Sequence, residues 1–335
     1  MLHSLLDGQG CNPDLRYKEK RVSKKRSKKK RGKRKAARDE PVNFDPRQME
    51  EMTADLHRIL ADQEFETIDE AKAFINDLLA SPGPLPSKPP STPLGEAQDL
   101  IYDAWDSSGF ERLELARDAL DISEDCADAW VLLAEEAAVS LHEARVFYEA
   151  GVKAGEKVLG QDAFEEHAGH FWLVFETRPY MRARAGLAGC LWDLGKHVEA
   201  IDHLHDMLRL NPNDNQGIRY VLLTYLLEDG SQSAVDELLK TYDDGSANWL
   251  YSQALHTFRS QGAGSAARKH LQAALESNSH VPAYLLLDKT LPKELPDTIS
   301  YGDEDEAAVY VVYNGHLWIG EEGAIDWLRR ISKAS

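Results

Sequence analysis

An all-α solenoid of helix-turn-helix units is the fold that the 335 residues predict, and three recurrences predict it. A helical phrase returns every 33 or 34 residues, clearest from Met181 to Pro212 and weaker from Asn215 and from Asn248. A small residue stands where paired helices cross, at Ala200, Ala234 and Ala267, with a large apolar residue one turn later at Leu204, Leu238 and Leu271. Close helix contact leaves room only for the small side chain, and the bulky one fills the groove beside it. Gly195, Gly230 and Gly262 stand where each first helix must stop, because a backbone free to take a positive φ ends a helix cheaply. Such a unit buries its apolar face only by stacking on a neighbour, so the period specifies a linear array.

Residues 1–40 open the chain as a basic tail. The net charge of −18 divides into +12 over residues 1–38, with 15 Lys and Arg against 3 acids, and −30 over residues 39–335, with 24 against 54. The dense centre is Lys24, Lys25, Arg26, Lys28, Lys29, Lys30, Arg31, Lys33, Arg34 and Lys35. It offers nothing apolar to bury and cannot offset its own ordering entropy, so disorder is expected. Its candidate role is contact with nucleic-acid phosphates, on nucleic acid or the ribosome, with binding that falls steeply with salt. The competing reading is a solvated arm attracted by the acidic body, since no aromatic interleaves the run for bases to stack on. Leu2, Leu5 and Leu6 are too few for a signal peptide. Val22-Ser23-Lys24 reads as a natural beginning, which makes residues 1–21 an expected extension.

Residues 41–80 read as a helical hairpin. Phe44, Met52, Leu56, Ile59 and Leu60 share one helix face, and Thr67 with Glu70 forms a capping box that opens a helix carrying Ala71, Phe74, Leu78 and Leu79. The hairpin is either a docking module or an N-terminal cap folded back on the array. Residues 81–93 hold six prolines in thirteen positions and read as a stiff linker. The array follows over 94–290. An earlier small and large pair, Ala144 and Tyr148, lies 56 residues upstream of Ala200 and Leu204, so an insert is expected near 155–180. Pro292 and Pro296 break the pattern, and two helices over 291–335 are expected to cap it, one carrying Ala307, Ala308, Tyr310 and Val311, the other Ile325, Trp327, Leu328 and Ile331.

The phrase from Met181 to Pro212 resembles the tetratricopeptide repeat, with Arg184 in place of the usual opening aromatic and with Glu124 and Ser279 where other copies would end in proline. Three further blocks, Cys126 to Glu136, Val152 to Glu156 and His280 to Leu286, are similar in content and order to the suppressor-of-tumorigenicity-seven family. The second resemblance supports the repeat fold and brings no active-site motif with it. Animal members of that family are membrane proteins, whereas this sequence holds no run of about 18 apolar residues, so no spanning helix is expected.

The repeat resemblance implies peptide or protein capture in the groove lined by first helices, and there the candidates are Arg182, Trp192, Arg219, Trp249, His256 and Arg259. Guanidinium groups beside indoles suit an acidic or C-terminal carboxylate ligand. The alternative is that Arg182 and Arg219 pair with the chain's own acids. A chaperone-type carboxylate clamp would need Lys and Asn where this sequence has Ala185, Gly189, Leu223 and Ser252.

An enzyme is not expected. The sequence has no Gly-rich phosphate loop, no nucleophile elbow and no kinase motif set. Glu165, Glu166, His167 and His170 could offer metal ligands, but Glu166-His167-Ala168-Gly169-His170 does not fit the zinc-protease pattern, and an extra helix packing Phe171, Trp172 and Phe175 is expected instead. No cofactor is expected. Cys11, Cys126 and Cys190 are odd in number and far apart, which fits a reducing, cytoplasmic setting, and Cys126 and Cys190 read as small buried residues. His203 and His205 flank Leu204 and should lean away from the core. The reading is a non-enzymatic interaction scaffold, with the nucleic-acid role of the tail as the alternative.

Overall fold

The computed structural model describes residues 46–61, 63–81, 88–296 and 298–333, with side chains from Glu50 onward. Among them are fifteen α-helices and no strand: α1 Pro46–Ala61, α2 Ile68–Ala80, α3 Pro93–Asp106, α4 Phe110–Ile122, α5 Ala127–Glu136, α6 Leu141–Glu166, α7 Arg178–Asp193, α8 His197–Leu210, α9 Ile218–Asp229, α10 Gln232–Thr241, α11 Ala247–Gln261, α12 Ser265–Ser277, α13 Val281–Leu285, α14 Glu304–Ile319 and α15 Ala324–Ser332. The basic tail lies outside the described residues, and so does most of the proline-rich linker.

Local chemistry sets the helix ends. Thr67, Thr92, Ser140, Ser246 and Asp303 each accept a hydrogen bond from the amide three residues on, and so satisfy one of the free N–H groups of a first turn. Glu70 and Glu143 reach back one residue past the caps and accept from the amides of Glu66 and Val139, a variant of the capping box expected at Thr67. Gly230 and Gly262 cap α9 and α11 at φ +78° and +70°, and Gly195 follows α7 at +75°, as their place in the repeat predicts.

From α3 to α12 each helix packs on the next, and the first helices of successive pairs touch as well, α3 with α5, α5 with α7 and α9 with α11. Ala200, Ala267, Leu204, Leu238 and Leu271 are buried where the repeat places them. Ala234 is only half-buried, and Val235 beside it is buried, while Leu238 keeps its expected place in α10. An alanine-rich cluster around Ile101, Ala116 and Leu132 joins α3, α4 and α5, and a larger one runs from Val131 to Leu328.

Gly186 marks the tightest crossing. A β-carbon there would lie inside the van der Waals envelope of the buried Tyr148 ring. Gly186→Ala should therefore lower the unfolding free energy by about 1–3 kcal/mol, measured by urea denaturation; an unchanged midpoint would show that the ring can move aside.

The insert is not one additional helix. Helix α6 runs past the alanine of its repeat to Glu166, with a break at Gly160 (φ +69°), and two 3-10 turns, Phe171–Leu173 and Phe175–Thr177, lead into α7. Phe171 is buried and packs with Phe164 and Tyr180.

His205 is exposed, as expected, but His203 turns inward to Arg184. The Arg184 Nε–H donates to His203 Nδ1 at 3.1 Å, which requires an unprotonated ring nitrogen, and Arg184 also pairs with Asp206. Burial, reinforced by the guanidinium, holds His203 below its ordinary pKa. The unfolded ring takes up a proton near pH ~6.5, whereas the folded ring stays neutral to lower pH, so its contribution is intact above that pH and is lost as pH falls toward the folded value. His203→Gln should reduce the drop in melting temperature between about pH 7.5 and about pH 5.5; an equal drop in both proteins would place the pH dependence elsewhere.

At the ends, the polar face of α1 meets the array. Arg58 pairs with Asp99 on α3, and Glu50 reaches Arg178 and Arg182 on α7. The apolar stripe expected to seat this helix is half-buried at Leu56, Ile59 and Leu60 and exposed at Met52, while Phe44 lies outside the described residues. Helix α2 buries no side chain. At the other end, α14 lies on α9, α11 and α13, and α15 closes over α12, α13 and α14.

Candidate interaction face

The face lined by α7, α9 and α11 carries all six groove candidates, and each makes its recorded contacts within the chain. Arg182 donates from Nε and Nη2 to both oxygens of Asp128 at 2.7 Å, and from Nη1 to Glu50 at 3.0 Å. Asp128 is 1% exposed, and Gln98 gives it a further hydrogen bond. Desolvation opposes the charge on Arg182, but the two carboxylates outweigh it and hold the guanidinium ionised. The alternative weighed for Arg182, pairing with the chain's own acids, is the arrangement present.

Arg219 has the same fate. Its guanidinium pairs with Asp214 at 3.0 Å and Asp244 at 2.7 Å and lies 4.3 Å from the centre of the Tyr220 ring. Asp214 has a positive φ of 48° and accepts from the amides of Ile218 and Arg219, so one buried carboxylate both starts α9 and holds its arginine. Burial pulls the Asp244 carboxyl up, yet hydrogen bonds from Ser246, Tyr220 and Arg219 outweigh it and keep Asp244 below the usual carboxylate range.

Arg259 staples two helix ends, donating to Leu227 O of α9, to Leu317 O of α14 and to Glu321. Trp192 is sandwiched between Tyr225 and His197, with ring centres 3.8 and 3.9 Å away, and its indole N–H donates to Glu228 at 3.0 Å. Trp249 is buried edge-on to Tyr220 and Tyr242. His256 Nε2 lies 2.9 Å from Asp236.

Helix α14 occupies much of this face. Glu306 accepts from the Ala247 amide and so caps α11, Asn314 accepts from Thr224, and His316 meets Glu228 at 2.7 Å. Tyr251, Tyr310 and Trp318 form an aromatic core between α11 and α14, with the Trp318 N–H donating to the Tyr310 hydroxyl. Two clefts stay open beside α14. One, of about 280 Å³, is lined by Trp192, Tyr225, Glu228 and Tyr313, and the other, of about 400 Å³, by Gln216, Asn248, Ile299 and Tyr301.

Sequence reasoning missed the acids that fill this face, Glu50, Asp128, Asp214, Asp244 and Glu306. Asp128 carries a signal, a lone carboxylate inside the apolar run Ala127 to Ala134, where burial demands a cationic partner. His167 and His170 stack edge to face at 5.8 Å, and no group of three His, Cys, Asp or Glu residues comes together for a metal among the described residues. Cys126 and Cys190 are buried free thiols, and burial pushes Cys126 up to about 12, far from the range of a nucleophile. The tail positions Lys24, Lys25, Arg26, Lys28, Lys29, Lys30, Arg31, Lys33, Arg34 and Lys35 lie outside the described residues. Among the described residues no helix is long and apolar enough to cross a membrane.

Known proteins are similar to this chain in sequence. The family model for the ST7 protein matches residues 92–335. A human protein named suppressor of tumorigenicity 7 protein-like is 31% identical over 260 residues, 70% of this chain and 45% of the human protein. Its Gallus gallus counterpart is 30% identical over 259 residues, 70% of this chain and 46% of that protein. The ST7 homolog of Drosophila melanogaster is 29% identical over 260 residues, 70% of this chain and 48% of the fly protein. The chain thus spans about half the length of these relatives. With its helices from α3 to α15 inside the matched region, the chain belongs to the ST7 protein family.

Proposed function

We propose that this chain is a non-enzymatic protein-interaction scaffold, a short solenoid of tetratricopeptide-like hairpins whose inner face binds segments of other proteins. The observation that carries the reading is the seat of α14. The first helices α9 and α11 accept a whole helix of the same chain, through aromatic packing and one capped amide, so the face has the shape and chemistry to hold a protein segment. The hairpin contacts from α3 to α12 support the repeat assignment.

Arg182, Trp192, Arg219, Trp249, His256 and Arg259 stay central to this proposal. An acidic ligand would have to displace the internal carboxylates from the three arginines, so these residues hold the shape of the face, and a partner meets it at the clefts beside α14. A cytoplasmic setting belongs to the same proposal and is supported by the two free thiols.

A photoreactive benzoylphenylalanine tests it. Placed at the exposed Val312, on the rim of one cleft, it should yield a discrete protein adduct in cells that the same group at the exposed Val139 does not. Equal labelling from both positions, or none from Val312, would sink the scaffold reading.

A further inference from the structure

We propose that the cleft beside Gln216 binds an extended peptide segment by its main chain, with the carboxamides of Gln216 and Asn248 reading the segment's N–H and C=O groups. Gln216 stands in the loop between α8 and α9 and is 7% exposed, yet neither its carboxamide oxygen nor its nitrogen has a partner among the described residues. Asn248, in the first turn of α11, lines the same cleft, and its buried Oδ1 is unpartnered as well. Natural proteins pair nearly all such buried groups, because an unmet one is costly. Two of them in the wall of one cleft mark a place where a ligand supplies the missing partners. A bridging water does not account for the space, since a water takes about 30 Å³ and the cleft holds about 400 Å³.

The wall selects the class of ligand. Its ionic groups are already engaged, Asp214 with Arg219, and Glu306 with the amides of Ala247 and Gly302 and the carboxamide of Asn278. A ligand recognised by charge would have to break these contacts. What stays free is amide chemistry, the amino group of Gln216 and the carbonyl oxygens of Gln216 and Asn248. A carboxamide holds its donor and its acceptor in one plane, so it can pair with both the N–H and the C=O that an extended residue presents on one edge, and a second acceptor takes a further N–H. Ile299 and Tyr301, 53% and 75% exposed, border the cleft and offer apolar surface to the segment's side chains. The reader is also held in place. Asp214 and Gly217 turn the chain on either side of Gln216 at φ +48° and +73°, and Asp214 fixes the turn by accepting from the amides of Ile218 and Arg219, so binding orders little of the loop. This inference rests on the scaffold reading and gives its partner a chemistry, an uncharged extended stretch recognised through its backbone.

A backbone-methylation scan on the full chain tests it. A synthetic pool of end-blocked octapeptides of random sequence is passed over the immobilised protein, and the tightest binder is remade with each amide N-methylated in turn, which removes one N–H and keeps every side chain. Methylation at one or two amides should weaken binding about tenfold. Gln216→Met and Asn248→Leu should weaken the unmethylated peptide to a similar extent and leave little further loss for methylation to cause. Neither substitution takes a partner from the fold, so the melting temperature of each variant should hold or rise. Retention of no peptide would overturn the proposal, as would a methylation effect of equal size on the unsubstituted protein and on Gln216→Met. So would affinity carried by charged side chains and indifferent to methylation, or a Gln216→Met protein that melts lower and binds the peptide unchanged. Asn248 borders both clefts and Gln216 only this one, so Gln216 decides the site. A Val312 adduct alongside any of these failures would keep the scaffold reading and remove this one, since Val312 lies on the other cleft.

Discussion

Replacing Arg182 with methionine should remove about 3–5 kcal/mol of stability, because it strands the buried carboxylate of Asp128 and takes from Glu50 one of its two arginines. Asp128 and Glu50 are 1% and 6% exposed and each receives three hydrogen bonds, Asp128 from Arg182 and Gln98 and Glu50 from Arg182 and Arg178. Methionine supplies comparable volume but no proton donor, so the cost isolates the charge. The loss should be partly reversed by Asp128→Asn on the Arg182→Met background, since the second change removes one uncompensated anion. Urea denaturation of the single and double variants reads both effects. A loss under about 1 kcal/mol would mean that water reaches the carboxylates, as it does at exposed ion pairs. The same substitution should free α1 from α7, read as faster amide exchange across α1.

Removing residues 297–335 should turn the protein into an aggregating species. Trp318, Trp327 and Tyr310 are almost wholly buried, and each large aromatic covers about 150–250 Å². Their loss would bare an apolar patch on α9, α11 and α12 of roughly 500 Å², near the upper limit tolerated by soluble monomers. The α11 amide that Glu306 caps would lose its acceptor as well. Trp318→Ala is the point-substitution counterpart and should cost about 3–5 kcal/mol. Size-exclusion chromatography with light scattering distinguishes the outcomes for the truncation, and a monomeric, fully helical product would refute the capping role of α14 and α15.

The two effects share an origin that local sequence patterns do not reveal. Arg182 and Glu50 are 132 residues apart and Thr224 and Asn314 are 90 apart, and no period of 3.6 or 34 links such pairs. Their positions on exposed-looking helix faces made the arginines candidates for a ligand. In the folded chain, internal acids reach them first, since a tethered carboxylate binds at high effective concentration.

The positions of the helices and of their ends were legible in the sequence alone. Thr67, Thr92, Ser140, Ser246 and Asp303 start helices, and Gly195, Gly230 and Gly262 stop them, through contacts that close within a few residues. Ala200, Leu204, Ala267 and Leu271 are buried as their helical spacing predicts, because a small and a large apolar residue one turn apart share a helix face. That α14 covers the face of α9 and α11, that Glu50 brings α1 onto Arg182, and that Asp214, Asp244 and Glu306 neutralise or cap arginines and amides far along the chain emerges from the folded chain alone. Those choices depend on which surfaces remain to be covered once the array has stacked, and burying a charge or an aromatic ring there is favourable only with a partner supplied from far along the chain.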